Sequence, residues 1–244
     1  MAVTLIQAIL VGIFGGLFAI EVWSSSPFAL WQPLIPCIIV GTILGDPTAG
    51  LITGGLVVLA FMGVVQIGGA VPPNSTWAAI STTTLVVTAG LTGPAALVVS
   101  YPMALFGQYV TIAYMSWNSF FDHWADRESA QGNIDAIRYI NEIPGLIVIG
   151  LNAIIIGAFT YWGAPAIAAA SAALPPWFWT SLGAGGKLMT TLGVGILMNL
   201  MWDIKYLPLL LLGYGLAAYF GLGLLGTALV GAGLVGLVWV LGRR

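Results

Sequence analysis

The sequence predicts an all-α, polytopic integral membrane protein with broken and re-entrant helices, arranged as a two-half pseudo-repeat. Three observations predict it. Of 244 residues 59% are hydrophobic and 6% charged, with a mean hydropathy of +1.03, whereas a soluble domain carries about a quarter charged residues. The apolar runs are continuous rather than the ~10-residue segments of alternating polarity that build a transmembrane barrel. Thirty-three glycines and 13 prolines suit close helix packing and interrupted helices better than a plain bundle. At about 20 apolar residues per span, the chain has room for roughly seven to nine membrane segments, some of them partial.

Composition also excludes. A net charge of −2 without a basic patch gives no argument for nucleic acid. The single cysteine, Cys37, lies in an apolar run; it offers no disulfide and no metal set, and is expected to pack as a small hydrophobe. No cofactor, metal or catalytic residue is expected. The N-terminus lacks a basic leader and an Ala-x-Ala site, so the first apolar segment is expected to remain in the protein.

Taken in order, residues 3–23 form a first apolar helix ending at Glu21, Trp23 and three serines. Trp23 and Trp31 read as interface anchors. Residues 33–44 contain Pro36 and are short of a span, about 18 Å at 1.5 Å per residue; such a length suits a re-entrant segment. The break at Gly45-Asp46-Pro47 leads into a full-length segment over 49–67, and residues 77–88 form a helix stippled with Ser81, Thr82, Thr83 and Thr84. Those hydroxyls either bond back to their own helix or face a polar cavity.

Between these two helices lie residues 66–76, Gln-Ile-Gly-Gly-Ala-Val-Pro-Pro-Asn-Ser-Thr, inside a run from 47 to 121 that holds no charge. Proline removes a backbone donor and breaks a helix. Broken backbone at membrane depth is tolerated only inside protein or beside a polar cavity, and transporters use such discontinuous helices to hold substrate. The alternative, a tight surface loop, would be expected to carry Lys or Arg on its flanks, and it has none. The expected substrate-binding residues are Gln66, Asn74, Ser75 and Thr76, with Trp77 a candidate for stacking on a sugar ring and Asn199 a lower-ranked partner.

Gly93-Pro94 starts a long helix over 95–121. Residues 122–142 then hold seven of the 14 charged side chains and the only histidine, His123. They read as a solvated connector, helical in part; the sharper alternative, a phosphoryl acceptor or proton relay at His123, is rarely true of a lone loop histidine. The organisation is therefore one membrane domain over 1–244, with an N-terminal half (1–121), the connector (122–142) and a C-terminal half (143–244). In the second half, residues 144–173 are apolar with a bend near 163–165 and Asn152 inside. A second double proline, Pro175-Pro176, precedes a helix over 180–202. Lys187 there either snorkels to an interface or faces a cavity. A polar break at 203–208 and a long segment at 209–241, interrupted near 221–226, complete the chain. Arg243-Arg244 argues for a cytoplasmic C-terminus.

Residues 32–46, Gln-Pro-Leu-Ile-Pro-Cys-Ile-Ile-Val-Gly-Thr-Ile-Leu-Gly-Asp, resemble the IIC membrane subunit of the mannose/fructose/sorbose class of the bacterial sugar phosphotransferase system. The resemblance continues through Thr48-Ala49-Gly50, Gly54-Gly55, Gly63 to Asn74, Asp122-His123-Trp124-Ala125-Asp126, Gly132-Asn133, Met198-Asn199-Leu200-Met201 and Tyr206-Leu207-Pro208, in order along nearly the whole chain. It implies a sugar permease of the inner (plasma) membrane, embedded in the lipid bilayer. The partners it implies are a sister IID membrane subunit and cytoplasmic IIA and IIB phosphocarriers, assembled as a trimer of IIC–IID pairs. It further implies an elevator-like movement of the sugar, with the phosphoryl donor on IIB and no phosphorylated residue in this chain. Gln66 and Asn74 fall on the family's sugar-contacting positions. Many members carry Glu where Val57 stands and Asp where Asn74 stands. An amide both donates and accepts, so binding is expected to survive with a shifted sugar preference, toward N-acetylgalactosamine or a related amino sugar. The competing function is a stand-alone ion-coupled transporter. It would need intramembrane carboxylates, and only Glu21, Asp46 and Asp203 are available, all at segment ends. A membrane-embedded enzyme would want His/Asp or Cys/His sets that the chain does not supply.

Overall fold

The computed structural model describes residues 3–21, 28–64 and 71–241, and every regular element among them is helical. In order these are α1 (Leu5–Glu21), α2 (Leu34–Leu44), α3 (Pro47–Phe61), α4 (Ser75–Ala89), α5 (Gly93–Ala130) and α6 (Ile134–Ala158). A π turn (Phe159–Gly163), α7 (Ala164–Ala173), α8 (Pro176–Leu200), a 3-10 turn (Ile204–Tyr206), α9 (Leu207–Ala218) and α10 (Leu224–Leu241) follow. Two compact units divide the chain at 197/198. The first holds α1 to α7 and most of α8. The second holds the 3-10 turn, α9 and α10, and α9 and α10 pack on each other.

Helices α2 and α3 form a tight antiparallel hairpin. Gly45 adopts the left-handed conformation (φ 96°), and Asp46 caps α3 by accepting the Ala49 N–H at 2.8 Å, with Pro47 opening the helix. Each of those residue types serves its position: glycine for positive φ, a carboxylate for the orphan N–H groups, proline for a first turn that needs no donor. Gly41 and Gly50 let the two backbones meet; a Cβ on Gly50 would lie 2.4 Å from the Cys37 carbonyl oxygen. Helix α2 has 11 residues and α3 has 15, so α2 has the expected re-entrant length while α3 is shorter than the full-length segment expected. It ends at Phe61, and a turn closes as the Val64 N–H bonds the Phe61 carbonyl.

Helix α4 occupies the centre. Ten consecutive residues, Thr76 to Leu85, are buried, and it packs against α1, α2, α3, α5, α6 and α7. A helix buried on all sides has no solvent face for its hydroxyls. Ser81, Thr82 and Thr84 therefore donate to the carbonyls of Trp77, Ala78 and Ile80, and Thr82 also pairs with Ser100 of α5. For these three the structure selects back-bonding; Thr83 is fully buried and does not bond back to its helix. Cys37 is fully buried, its thiol directed at the Ala79 carbonyl, as a small core residue.

Helices α1 and α6 run antiparallel in close contact. A Cβ on Gly12 would come 2.5 Å from the Ala153 oxygen and one on Gly16 2.4 Å from the Ile149 oxygen. Helices α5 and α6 are also longer than the apolar runs. Helix α5 continues through Pro102 to Ala130, and α6 begins at Ile134, so the charged connector is mainly the projecting ends of two helices. The corner between them uses Gly132 (φ 71°) and Asn133, which caps α6 at Ala136 and bonds Glu128. The ion pair Arg138–Glu142 is exposed. The helices Gly93–Ala130 and Ile134–Ala170 are long and apolar enough to cross a membrane. The expected bend near 163–165 is the π turn at Phe159–Gly163, and the breaks expected at 174–177, 203–208 and 221–226 are seen at 174–175, 201–206 and 219–223. Trp23, Gln66 and Arg243-Arg244 lie outside the described residues.

Two expectations follow from this packing. Gly16→Leu forces α1 off α6, an overpacking of at least about 1–3 kcal/mol; the purified protein should lose several degrees of thermal stability, while Gly150→Leu, with open space around it, should not. Cys37 should resist maleimide in the folded protein and react fully after denaturation in detergent.

Candidate functional site

The site is built where the chain stops being helical. Residues 71–74 run without regular structure into α4, with Asn74 extended. A non-helical stretch exposes backbone donors and acceptors that must be met, and α5 meets them. The Asn74 N–H bonds the Ala104 carbonyl at 3.0 Å, and the Gln108 side-chain amide bonds the Val71 carbonyl. Pro72 and Pro73 have no N–H to satisfy. Asn74 then caps α4, its Oδ1 accepting the Trp77 N–H at 3.1 Å. Such a cap stabilises by about 1 kcal/mol.

A cavity of about 480 Å³ opens against this segment, within the range of roughly 300–1,000 Å³ for small-molecule sites. Val71 to Thr76 supply one wall, and Trp31, Gln32 and Pro33 another. Val58, Phe61, Met62 and Val64 come from the end of α3, and Thr111 from α5. The polar lining is thus Gln32, Asn74, Ser75, Thr76 and Thr111, amides and hydroxyls without a charge. Because Asn74 spends Oδ1 on its cap, its side-chain NH₂ is the part left to donate. The N–H groups of the first turn of α4 have no intrahelical acceptor and add a positive dipole end beside the cavity.

The structure brings Asn74, Ser75 and Thr76 together in one wall, as the sequence suggested. Gln66 falls outside the described residues, and Asn199 is exposed in the second unit. Trp77 does not face the cavity. Its indole is 1% exposed, donates to Asn152 Oδ1 at 3.0 Å and packs on Gly107, where a Cβ would lie 2.6 Å from the ring. The third residue of α4 points into the bundle here, so stacking by Trp77 is corrected. Trp31, read as an interface anchor, is half-buried in the cavity wall instead. Gln32, Gln108 and Thr111 were not singled out as site residues; the signal for Gln108 was an amide in an uncharged helix. Val57 is fully buried in the core. Lys187 is exposed on α8, His123 is exposed on α5, and no group of three metal-ligating side chains occurs among the described residues.

The family model described as the sorbose-specific IIC component of the phosphotransferase system matches residues 5–237. Among curated relatives, the N-acetylgalactosamine permease IIC component 1 of Escherichia coli (strain K12) is 33% identical over 95% of this chain and 86% of its own. The sorbose-specific EIIC component of Lacticaseibacillus casei is 32% identical over 95% and 83%, and the fructose permease IIC component of Bacillus subtilis (strain 168) 31% over 82% and 74%. A solved membrane-protein structure superposes with a TM-score of 0.87 at 26% identity, covering 98% of this chain and 96% of that one. The mannose transporter ManYZ in its complex with a microcin superposes with a TM-score of 0.62 at 27% identity over the same shares. With apolar helices long enough to span, an uncharged cavity at a broken backbone and a match over nearly its whole length, the chain belongs to the sorbose-type IIC family of the phosphotransferase system, as a mannose-class sugar permease component of the bacterial inner membrane.

Proposed function

We propose that the cavity beside residues 71–76 is the sugar site and that its ligand is a neutral hexose or N-acetylhexosamine, with N-acetylgalactosamine the leading candidate. The observation that carries the reading is the lining: five amide and hydroxyl side chains, apolar walls, one tryptophan and no charge. The adjoining residues 65–70 also carry none. A protonated amino sugar or a sugar acid would be buried there without a counter-charge, which costs several kcal/mol. Neutral hydroxyls and an acetamido group find donors and acceptors instead. The relative of E. coli described as an N-acetylgalactosamine permease supports the same choice.

In this reading Asn74 NH₂ and the first N–H groups of α4 donate to sugar oxygens, the Ser75 hydroxyl donates or accepts, and the Thr111 hydroxyl, which donates to the Gly107 carbonyl at 2.9 Å, accepts. Thr76 supports the wall. Gln66, eight residues before Asn74, adds a second amide, and Asn199 is the lower-ranked partner, tested by its own alanine variant. The chain binds and moves the sugar. A IIB subunit supplies the phosphoryl group and a IID subunit completes the membrane complex, as trimers of IIC–IID pairs. An elevator-like shift of the site-bearing part against a scaffold is part of the proposal. So is a pseudo-repeat of residues 1–121 and 143–244 about the connector 122–142. What supports the repeat is that each double proline, 72–73 and 175–176, stands at the start of a buried or long helix, α4 and α8.

Two outcomes test the reading. In cells lacking other permeases, labelled sugar should accumulate as the phosphate only when IID, IIA and IIB are co-expressed. Asn74→Ala and Gln66→Ala should each lower uptake about tenfold or more, since a lost buried hydrogen bond is worth about 1–3 kcal/mol. Uncoupler-sensitive uptake of unmodified sugar by this chain alone would instead establish an ion-coupled carrier. Second, N-acetylgalactosamine should compete for uptake far better than galactosamine at neutral pH. Asn74→Asp keeps the helix cap and adds a charge, so it should move that ratio toward the cationic sugar without lowering the amount of protein in the membrane.

A further inference from the structure

Trp31 stands in the cavity wall on a short irregular segment, residues 28–33, that precedes α2. Its own peptide groups are tied on both sides. The Trp31 N–H donates to Glu21 Oε2 at 2.7 Å, and the Trp31 carbonyl accepts from Thr76 Oγ1 at 3.0 Å. Glu21 is the last residue of α1 and is only 6% exposed; Thr76 is 1% exposed in the first turn of α4. The segment also contains Ala29 at φ 50°, a left-handed conformation that costs a non-glycine residue and persists only where its surroundings hold it. The Gln32 N–H bonds the Ala29 carbonyl, and Gln32 is itself a lining residue.

Burying a carboxyl group costs free energy unless it is hydrogen-bonded, and the Trp31 N–H supplies such a bond to Glu21 Oε2. Glu21 is not among the residues that line the cavity beside 71–76; it reaches that wall through the Trp31 N–H. We propose that Glu21 is a positioning residue for the sugar site: as a hydrogen-bond acceptor it holds the Trp31 backbone, with Thr76 on the other side, so that the indole offers a fixed apolar platform to one face of a pyranose. The C–H groups on a sugar face carry slight positive charge and meet the negative face of an aromatic ring. A ring free to swing would lose that complementarity at an entropic cost on every binding event.

The inference rests on the cavity being the sugar site, and the experiment separates the two. KM and maximal rate of uptake are measured for the sugar ranked first in the panel above, with all partner subunits present, for Trp31→Ala, Glu21→Ala, Glu21→Gln, Glu21→Ala/Trp31→Ala, Thr76→Val and Asn74→Ala. Trp31→Ala and Glu21→Ala should each raise KM about five- to tenfold and leave maximal rate per membrane-inserted protein within about twofold, the size expected for one aromatic contact. Because Glu21 acts through Trp31, the double variant should be no worse than Trp31→Ala alone. Glu21→Gln keeps an acceptor oxygen and should stay within about threefold of the unaltered protein. Should Glu21→Ala fail to reach the membrane, Thr76→Val, which removes the other tie with little change of shape, should show the same KM rise. Additive effects in the double variant, a loss in Glu21→Gln equal to that in Glu21→Ala, or an unchanged KM in Glu21→Ala overturns the role of Glu21. Unchanged KM in both Asn74→Ala and Trp31→Ala overturns the cavity itself.

Discussion

A chain that leaves the helix at membrane depth has to find its backbone hydrogen bonds inside the protein. The rest of the structure follows from how this one does so. Residues 71–74 have no regular structure, two of the four are prolines without a donor, and the backbone groups on either side are met by α5, through the Ala104 carbonyl and the Gln108 side chain. Asn74 closes the account by capping α4. Once that break is satisfied, a helix N-terminus, an amide and two hydroxyls are fixed together beside an opening that residues 31–33 and the end of α3 line from the other side. The same device that makes the break tolerable makes it useful.

Holding α4 at the centre imposes a second requirement, that neighbouring helices come close without leaving polar atoms stranded. Glycines at Gly41, Gly50, Gly12, Gly16 and Gly107 meet the first half of it by admitting backbone or an indole where a Cβ would collide. Ser81, Thr82 and Thr84 of α4 meet the second half by returning to carbonyls of their own helix and so behave as compact, nearly apolar side chains; the buried Thr83 hydroxyl is the exception. The pairing of Thr82 with Ser100 and of Trp77 with Asn152 ties the central helix to α5 and α6. The polar side chains at the start of α4, by contrast, line the cavity.

The tryptophans show why part of the site was hidden. Trp77, next to the break in sequence, is in the core, because the third residue of a helix lies on whichever face the helix turns inward, and α4 turns it toward Gly107 and Asn152. Trp31, 43 positions before Asn74, is in the cavity wall, carried there by the turn before α2 and held by Glu21 and Thr76. Nothing local to Trp31 distinguishes it from a tryptophan at a membrane surface; the difference lies in what α1 and α4 place beside it. That Asn74, Ser75 and Thr76 share a wall was legible because they are consecutive in sequence after a double proline that breaks the helix.

Sequence alone was enough to establish the membrane class, the helical content and almost every break. Hydropathy, proline and the glycine at a turn act on the residues that carry them, and their consequences are local. The polar motifs in order along the chain were likewise enough to indicate the family. Which hydroxyls are spent on the helix and which face the cavity, which tryptophan stands in the cavity wall, and what the buried glutamate at the end of α1 holds depend on contacts between residues 10 to 75 positions apart. Those contacts are set by how six helices close around α4, and that closure is written in no single stretch of the chain.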